Sequence, residues 1–107
     1  MVARGDIIWA DLGEPADRRP VCVLTRDAAI PVLTSVTCAP ITRTIRGIAS
    51  EVEVGTDQGL PADSVIVCDN VLTLPQAQLD PEPVGRLDEA HIAALDRALR
   101  YALDIRY

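Results

Sequence analysis

Short apolar runs, bounded by glycine, proline or charged residues, recur along the chain up to residue 87. Their lengths and flanks favour β-strands over helices. Residues 50–54 alternate between polar and apolar, which is typical of an edge strand with Glu51 and Glu53 facing solvent. Residues 64–68 are almost continuously apolar, which is typical of a buried strand. The remaining predicted strands cover residues 6–12, 20–25, 36–40, 70–74 and 84–87.

Residues 87–104 have the periodicity of an amphipathic helix. Asp88 suits the N-cap position, and Glu89 favours the positive end of the helix dipole. Ile92, Leu95 and Leu99 fall on one face of this helix. Short strands followed by one terminal helix predict a mainly β (α+β) fold, in which a small curled antiparallel sheet or barrel packs against the helix.

Composition limits the protein classes that fit this pattern. The chain of 107 residues is the size of a single domain, here residues 1–107. It has no apolar run of membrane-spanning length and no signal-peptide pattern, so we expect a cytoplasmic protein with no membrane contact. Its three cysteines are far apart and lie within apolar runs, which predicts core residues rather than disulfides or a zinc site.

Charge is distributed unevenly along the chain. The net charge is −6, which argues against a general nucleic-acid binder, yet residues 18–46 contain five arginines and one acid. If the strands at 20–25 and 36–40 pair antiparallel, Arg19 and Thr42 meet at one edge of the sheet. A guanidinium beside a hydroxyl is suited to binding a phosphate. The alternative interpretation is that Arg19 pairs with a carboxylate and Thr42 caps a turn.

Recognised catalytic motifs are absent from the sequence. It contains no phosphate loop, dinucleotide fingerprint, zinc motif or GxSxG elbow. Residues 18–46 contain only one acid, Asp27, so we expect neither a metal nor another cofactor. RNA is a plausible substrate, because its own 2′-hydroxyl can attack the adjacent phosphorus and the protein needs only to orient the strand and stabilise charge.

Two further residues have alternative interpretations. Trp9 is either a core or interface anchor or a platform on which a base stacks. His91 lies in the first turn of the predicted helix, where an isolated histidine is more typical of a solvated or packing residue than of a catalyst. A Ser-His-Asp site would depend on this single histidine.

The order of several segments suggests a family. RGDIIWADL, RRPVCVLTRD, CAPITRT, LPADSVIVCDNVLTL and VGRL precede the terminal helix. Over nearly its whole length the chain resembles the MazF/PemK toxins, the ribosome-independent endoribonucleases of type II toxin–antitoxin pairs. The resemblance implies an SH3-like barrel of the MazF/CcdB type and a homodimer. It also implies metal-independent cleavage of single-stranded RNA at short sequences, which inhibits translation and leaves 5′-hydroxyl and 2′,3′-cyclic or 3′-phosphate ends. A MazE-like antitoxin with an acidic C-terminal tail is the implied inhibitor.

By position, the resemblance implies that Arg19 and Thr42 are the catalytic residues. A guanidinium is a poor base at neutral pH, so we favour charge stabilisation or leaving-group protonation by Arg19, with Thr42 bonding a phosphoryl oxygen. The loop between the first two strands is shorter than in many relatives. The other arginines of the basic stretch are predicted to bind RNA, the alternative being solvated loop charges: Arg18, Arg26, Arg43 and Arg46.

Two rival functions remain. Toxins of the same fold poison DNA gyrase without enzymatic activity, through contacts at the C-terminus, where this chain has Arg106 and Tyr107. The chain could also bind RNA or an antitoxin without cleaving. The presence of both Arg19 and Thr42 favours the nuclease.

Overall fold

The computed structural model describes residues 1–15 and 17–106, and these form seven antiparallel strands and one α-helix. The strands are β1 (Asp6–Asp11), β2 (Arg18–Val23), β3 (Ser35–Thr42), β4 (Glu51–Val54), β5 (Ser64–Val67), β6 (Leu72–Pro75) and β7 (Gly85–Arg86), and the helix is α1 (Glu89–Leu103). Short 3₁₀ turns lie at Ile30–Val32, Thr56–Gln58, Cys68–Asn70 and Gln76–Gln78. The strand order is β4-β5-β3-β2-β1-β7, with β6 also paired to β3.

The longest strand, β3, connects two parts of the curled sheet. Its first half pairs with β6 and its middle with β2, whereas Ile41 and Thr42 pair with Ile66 and Val65 of β5. Strand β3 therefore leaves β2 and joins β5 near its own end. This change of partner curves the sheet, in agreement with the predicted curled antiparallel sheet with a terminal helix.

The buried side chains form two clusters, because successive side chains of a strand point to opposite faces of the sheet. Ile7, Cys22 and Ala39 face the cluster that includes Leu95 and Ala98 of α1. Their neighbours in the strands form the second cluster, on the opposite face. All three cysteines are buried, as predicted: Cys22, Cys38 and Cys68. Burial raises the pKa of Cys22 and Cys38 to about 12 and that of Cys68 to about 11.

The helix begins where the sequence predicts. The Asp88 carboxylate accepts the backbone N–H of His91, and the chain leaves the helix at Asp104 with a left-handed conformation. Asp96 of α1 accepts a hydrogen bond from the Arg4 guanidinium at 2.8 Å. This contact ties the helix to the segment that precedes β1. No helix in residues 1–15 and 17–106 is long and apolar enough to cross a membrane.

Two strand boundaries at one edge of the sheet differ from the predicted ones. Strand β2 starts at Arg18 rather than at residue 20, because Arg18 and Arg19 pair with Asp11 and Ala10 of β1. Strand β3 extends to Thr42 because β5 supplies a partner for its last residues. Glu51 and Glu53 lie on the less buried face of β4, as predicted, and Glu51 is the more buried of the two. This half-buried side chain accepts two backbone N–H groups from the preceding loop.

Candidate functional site

A cleft of about 600 Å³ opens at the end of the sheet where β2 begins and β3 ends. We call it the site cleft. It is lined by Trp9, Arg18, Arg19, Pro20, Thr42 and Arg43, together with residues of the loop before β5. The structure thus brings Arg19 and Thr42 to one edge of the sheet, as predicted from the antiparallel arrangement.

Strand register explains why these two residues meet. Val21 pairs with Pro40, and the same antiparallel register extended toward the edge sets Arg19 across from Thr42. At this point β3 turns toward β5, so the ladder to β2 opens. The gap between the departing strands gives solvent and a ligand access to both side chains.

A second cleft, of about 340 Å³, adjoins the site cleft. Both clefts are lined by Arg19, Ile41, Thr42 and Thr44. Pro20 and Trp9 line only the site cleft, whereas Leu12 and Asn70 line only the second one. The Arg19–Thr42 pair therefore stands at the junction of two clefts, and a polymer could continue on either side of it.

The Arg19 guanidinium is available to an external anion. The residue is exposed, and within residues 1–15 and 17–106 its side chain has neither a carboxylate partner nor a hydrogen-bond acceptor. The interpretation that Arg19 forms an internal ion pair is thus not supported by the described structure. An unpaired guanidinium can give two parallel N–H bonds to a phosphate.

Thr42 has a structural role that leaves its hydroxyl proton free. Its Oγ1 accepts the backbone N–H of Thr44 at 3.2 Å, which is the turn-capping contact expected under the alternative interpretation. A hydroxyl has one donor in addition to its acceptor lone pairs. Thr42 can consequently cap the turn and donate to a phosphoryl oxygen at the same time. The turn contact also fixes the hydroxyl near Arg19.

Arg18 has a different environment from Arg19. Its guanidinium makes two hydrogen bonds to Asp80, at 2.8 and 2.7 Å, and its Cζ lies 6.0 Å from the centre of the Trp9 ring. The pKa of Arg18 is raised and that of Asp80 lowered, in each case mainly by their mutual hydrogen bonding. Arg18 is thus held in a planar, bidentate ion pair and is less available than Arg19 for phosphate.

The remaining arginines of the basic stretch separate into two locations. Arg43 lines the site cleft and Arg46 the second cleft. Glu51 fixes their loop by accepting the backbone N–H groups of Arg46 and Gly47 at 3.0 and 2.9 Å. Arg26, in contrast, follows the far end of β2 and lines neither cleft. RNA binding by these three residues stays a prediction. An RNA strand that contacts both the clefts and Arg26 would have to extend along the length of β2.

Asp80 is the site residue that sequence reasoning missed. It lies in the irregular segment after β6, more than 60 positions from Arg18, and no local pattern indicates their contact. Asn70, which lines the second cleft, was also missed; it ends the 3₁₀ turn that follows the buried strand β5.

Other candidates lie away from the site cleft. The His91 ring Nδ1 contacts Asp88 at 2.7 Å, and the pKa of Asp88 is lowered first by the backbone N–H of His91 and then by this ring contact. Arg106 contacts Asp104 at 3.3 Å, whereas Tyr107 is outside the described residues. Across residues 1–15 and 17–106, no three His, Cys, Asp or Glu side chains are grouped so as to hold a metal ion.

A model of the family described as "PemK-like, MazF-like toxin of type II toxin-antitoxin system" matches residues 3–103. Endoribonuclease MazF3 of Mycobacterium tuberculosis is 45% identical over 87 residues, covering 81% of this chain and 84% of that protein. Probable endoribonuclease MazF5 of the same species is 44% identical over 104 residues, covering 95% and 93%.

Two solved structures have closely similar folds. The Mycobacterium tuberculosis toxin MazF-mt6 aligns with a TM-score of 0.87 at 41% identity, covering 95% of this chain and 99% of the other. A mycobacterial endoribonuclease in complex with its cognate antitoxin aligns with a TM-score of 0.88, covering 100% and 99%. The identity in the second case is 24%, so that match shows the fold alone.

Proposed function

Because the chain belongs to the PemK-like, MazF-like family of toxins from type II toxin–antitoxin systems, we propose that its site cleft cleaves single-stranded RNA. The relatives at 44–45% identity are named endoribonucleases, one of them as probable, which favours a nuclease over a toxin that poisons gyrase. The observation that carries the proposal is the partner-free Arg19 guanidinium beside the Thr42 hydroxyl at the junction of two clefts.

The proposed reaction is an intramolecular displacement at phosphorus. The 2′-oxygen of the RNA forms a bond to the adjacent phosphorus as its proton passes to solvent water, and the bond from phosphorus to the 5′-oxygen breaks. The departing 5′-oxygen takes a proton from water, or from Arg19, which water then reprotonates. The products are a 2′,3′-cyclic phosphate and a 5′-hydroxyl. The substrate supplies the nucleophile, and the protein needs to hold the strand in line and stabilise the added negative charge.

Arg19 and Thr42 have complementary roles in this proposal. The Arg19 guanidinium donates to the phosphoryl oxygens, where charge increases in the transition state, or protonates the leaving oxygen. Thr42 donates its hydroxyl proton to a phosphoryl oxygen while the Thr44 amide holds its oxygen in place. Losing one such donor typically lowers kcat by about 10²- to 10³-fold.

The test is cleavage of RNA by purified protein in EDTA, with both product ends mapped. We expect cuts at defined sequences that leave a 5′-hydroxyl and a cyclic or 3′-phosphate. Arg19→Ala and Thr42→Ala should each lower the cleavage rate by about 10²- to 10³-fold, while Thr42→Ser, which keeps the hydroxyl, should retain most activity. Arg97→Ala is the matched control, because Arg97 is an exposed arginine of α1 that lines neither cleft.

Two outcomes would overturn the proposal. If the folded wild-type protein cuts no RNA, the site is not a ribonuclease, and inhibition of gyrase becomes the next assay. If cutting occurs only when Mg²⁺ is restored, the metal-independent mechanism is wrong. Folding of every variant is checked by circular dichroism, so that a lost activity is not confused with a lost fold.

We also propose the partners that family membership suggests. These are a MazE-like antitoxin with an acidic C-terminal tail and a second copy of the chain, in the cytoplasm. An acidic segment is complementary to the cleft arginines Arg19, Arg43 and Arg46. Light scattering of the purified chain tests the homodimer, and competition between an acidic peptide and RNA for wild type and Arg19→Ala tests the shared site.

A further inference from the structure

Trp9, Arg18 and Asp80 form a connected group at one wall of the site cleft. Trp9 is half-buried and lies across from Pro20 in the β1–β2 ladder, and both residues line the cleft. The Arg18 guanidinium lies over the indole, with its Cζ 6.0 Å from the ring centre, at the outer limit of a cation–π contact. The cleft wall is thus made of a ring and a guanidinium plane, the two side-chain shapes on which nucleobases stack.

Asp80 fixes the guanidinium relative to the indole. It holds Arg18 through both carboxylate oxygens, so the guanidinium cannot rotate out of its plane without losing a hydrogen bond. Asp80 is itself anchored to β1, because its backbone N–H donates to the Trp9 carbonyl at 2.9 Å and the preceding Leu79 bridges to Ala10. The backbone of Trp9 therefore holds the residue that orients Arg18.

Trp9 and Arg18 lie on only one of the two sides of Arg19 along which RNA could extend. Trp9 and Arg18 line the site cleft and not the second cleft, whereas Arg19 and Thr42 line both. A phosphate bound between Arg19 and Thr42 would have one neighbouring nucleotide on the Trp9 side and the other on the Asn70 side. A base on the Trp9 side would meet the ring and the guanidinium.

Resting on the proposed ribonuclease function, we propose that the Trp9–Arg18 pair is a base-stacking subsite for one nucleotide next to the scissile phosphate. Asp80 is the positioning residue that keeps Arg18 in the stack. Because Asp80 neutralises Arg18, the guanidinium contributes its flat face to a base rather than its charge to a phosphate. The pair therefore selects for the presence of a base at one position, and it discriminates little between the bases, since every base has a π-face.

The first experiment uses the fluorescence of Trp9, the single tryptophan of the chain. The probe is an oligoribonucleotide with a 2′-deoxy residue before the cut, which binds but cannot react. We expect it to quench Trp9 emission. Replacing nucleotides one at a time by 1-deoxyribose, which lacks the base, should remove the quenching at one position only. Quenching that survives replacement at every position would overturn the proposal.

The second experiment measures kcat/KM on intact and base-free substrates. Trp9→Leu should lower kcat/KM on intact RNA by about 5- to 150-fold, which corresponds to one stacked base. On the substrate that lacks the base at the quenching position, Trp9→Leu and wild type should cut equally. Trp9→Phe should recover part of the loss. Equal losses on intact and base-free RNA would show that Trp9 acts only by supporting the fold.

Asp80→Asn tests the positioning role. It should reduce the preference for the intact over the base-free substrate while leaving cleavage of the base-free substrate unchanged, an effect that general damage would not produce. Tyr101→Ala is the matched control, because Tyr101 is an exposed aromatic residue of α1 that lines neither the site cleft nor the second cleft. If wild type quenches with the expected position dependence but cuts nothing, the ribonuclease proposal fails while the stacking subsite is retained as an RNA-binding site.

Discussion

The Glu51 carboxylate has two opposite effects on RNA binding, and two substitutions of this residue separate them. The side chain lines the second cleft, where its negative charge opposes RNA binding. The same side chain holds the arginine loop through the backbone N–H groups of Arg46 and Gly47. Glutamine keeps an equivalent oxygen acceptor without the charge, whereas alanine removes both. We therefore expect Glu51→Gln to strengthen RNA binding and Glu51→Ala to weaken it.

The expected changes in Kd follow from the removed charge and from the lost hydrogen bonds. One charge about 8 Å from a phosphate in water is worth roughly 0.5 kcal/mol, so Glu51→Gln should lower the Kd by about twofold. Two exposed hydrogen bonds to a carboxylate contribute together about 2 kcal/mol to the order of the loop. Losing them should raise the Kd by up to about 30-fold if the loop must be ordered to bind RNA.

The assay is fluorescence anisotropy with the uncleavable oligonucleotide, at low salt so that the charge effect is not screened. Glu53→Ala is the control, because Glu53 is an exposed glutamate of the same strand that lines neither the site cleft nor the second cleft. If Glu51→Ala binds RNA as tightly as Glu51→Gln, the loop does not depend on these hydrogen bonds and the reasoning is refuted.

Four further predictions can be checked with simple measurements. The three buried cysteines should not react with Ellman's reagent in the native protein at pH 8 and should all react in guanidinium chloride, because burial raises each thiol pKa to about 11 or 12. Gly59→Ala should lower the free energy of unfolding by at least about 2 kcal/mol in a urea titration, since Gly59 has φ +84° and a methyl group there would overlap the Val84 carbonyl. Arg46→Ala should reduce the salt dependence of RNA binding by about 0.7 in log–log slope, whereas Arg26→Ala should leave it unchanged for an oligonucleotide confined to the clefts. The hydrogen bonds that Asp88 accepts lower its pKa in the folded state, so the ionised carboxylate stabilises the fold above about pH 4 and this stabilisation is lost on further acidification. Asp88→Ala should therefore reduce the free energy of unfolding at pH 7 and make it less dependent on pH in the acid range.

Local sequence patterns were sufficient to predict the helix, the strands and one contact between residues that are far apart in the sequence. The helix, its Asp88 cap and the strands were predicted because their periods and flanking residues are local signals. The meeting of Arg19 and Thr42 was predictable because it requires only that two consecutive strands pair antiparallel. The ends of these strands were placed less well, because Arg18 and Thr42 are strand residues only through pairing with β1 and β5.

The environment of each arginine could not be predicted in the same way. Five arginines in residues 18–46 look equivalent in the sequence. The fold pairs Arg18 with Asp80, leaves the Arg19 guanidinium facing the clefts and puts Arg26 beyond the far end of β2. These differences depend on where the irregular segment after β6 lies and on which way each strand side chain points. Both are consequences of tertiary packing.

The change of partner along β3 also has a consequence for when the protein becomes active. Arg19 is fixed by the ladder between β1 and β2, whereas Thr42 is fixed by the ladder between β3 and β5. Neither ladder alone contains both groups, and the two are joined only through β3. Pairing of β2 with β3 can bring the two residues to one edge of the sheet, but the ladder that holds Thr42 in place needs β5. A growing chain therefore lacks the fully ordered site until well over half of its residues have been made.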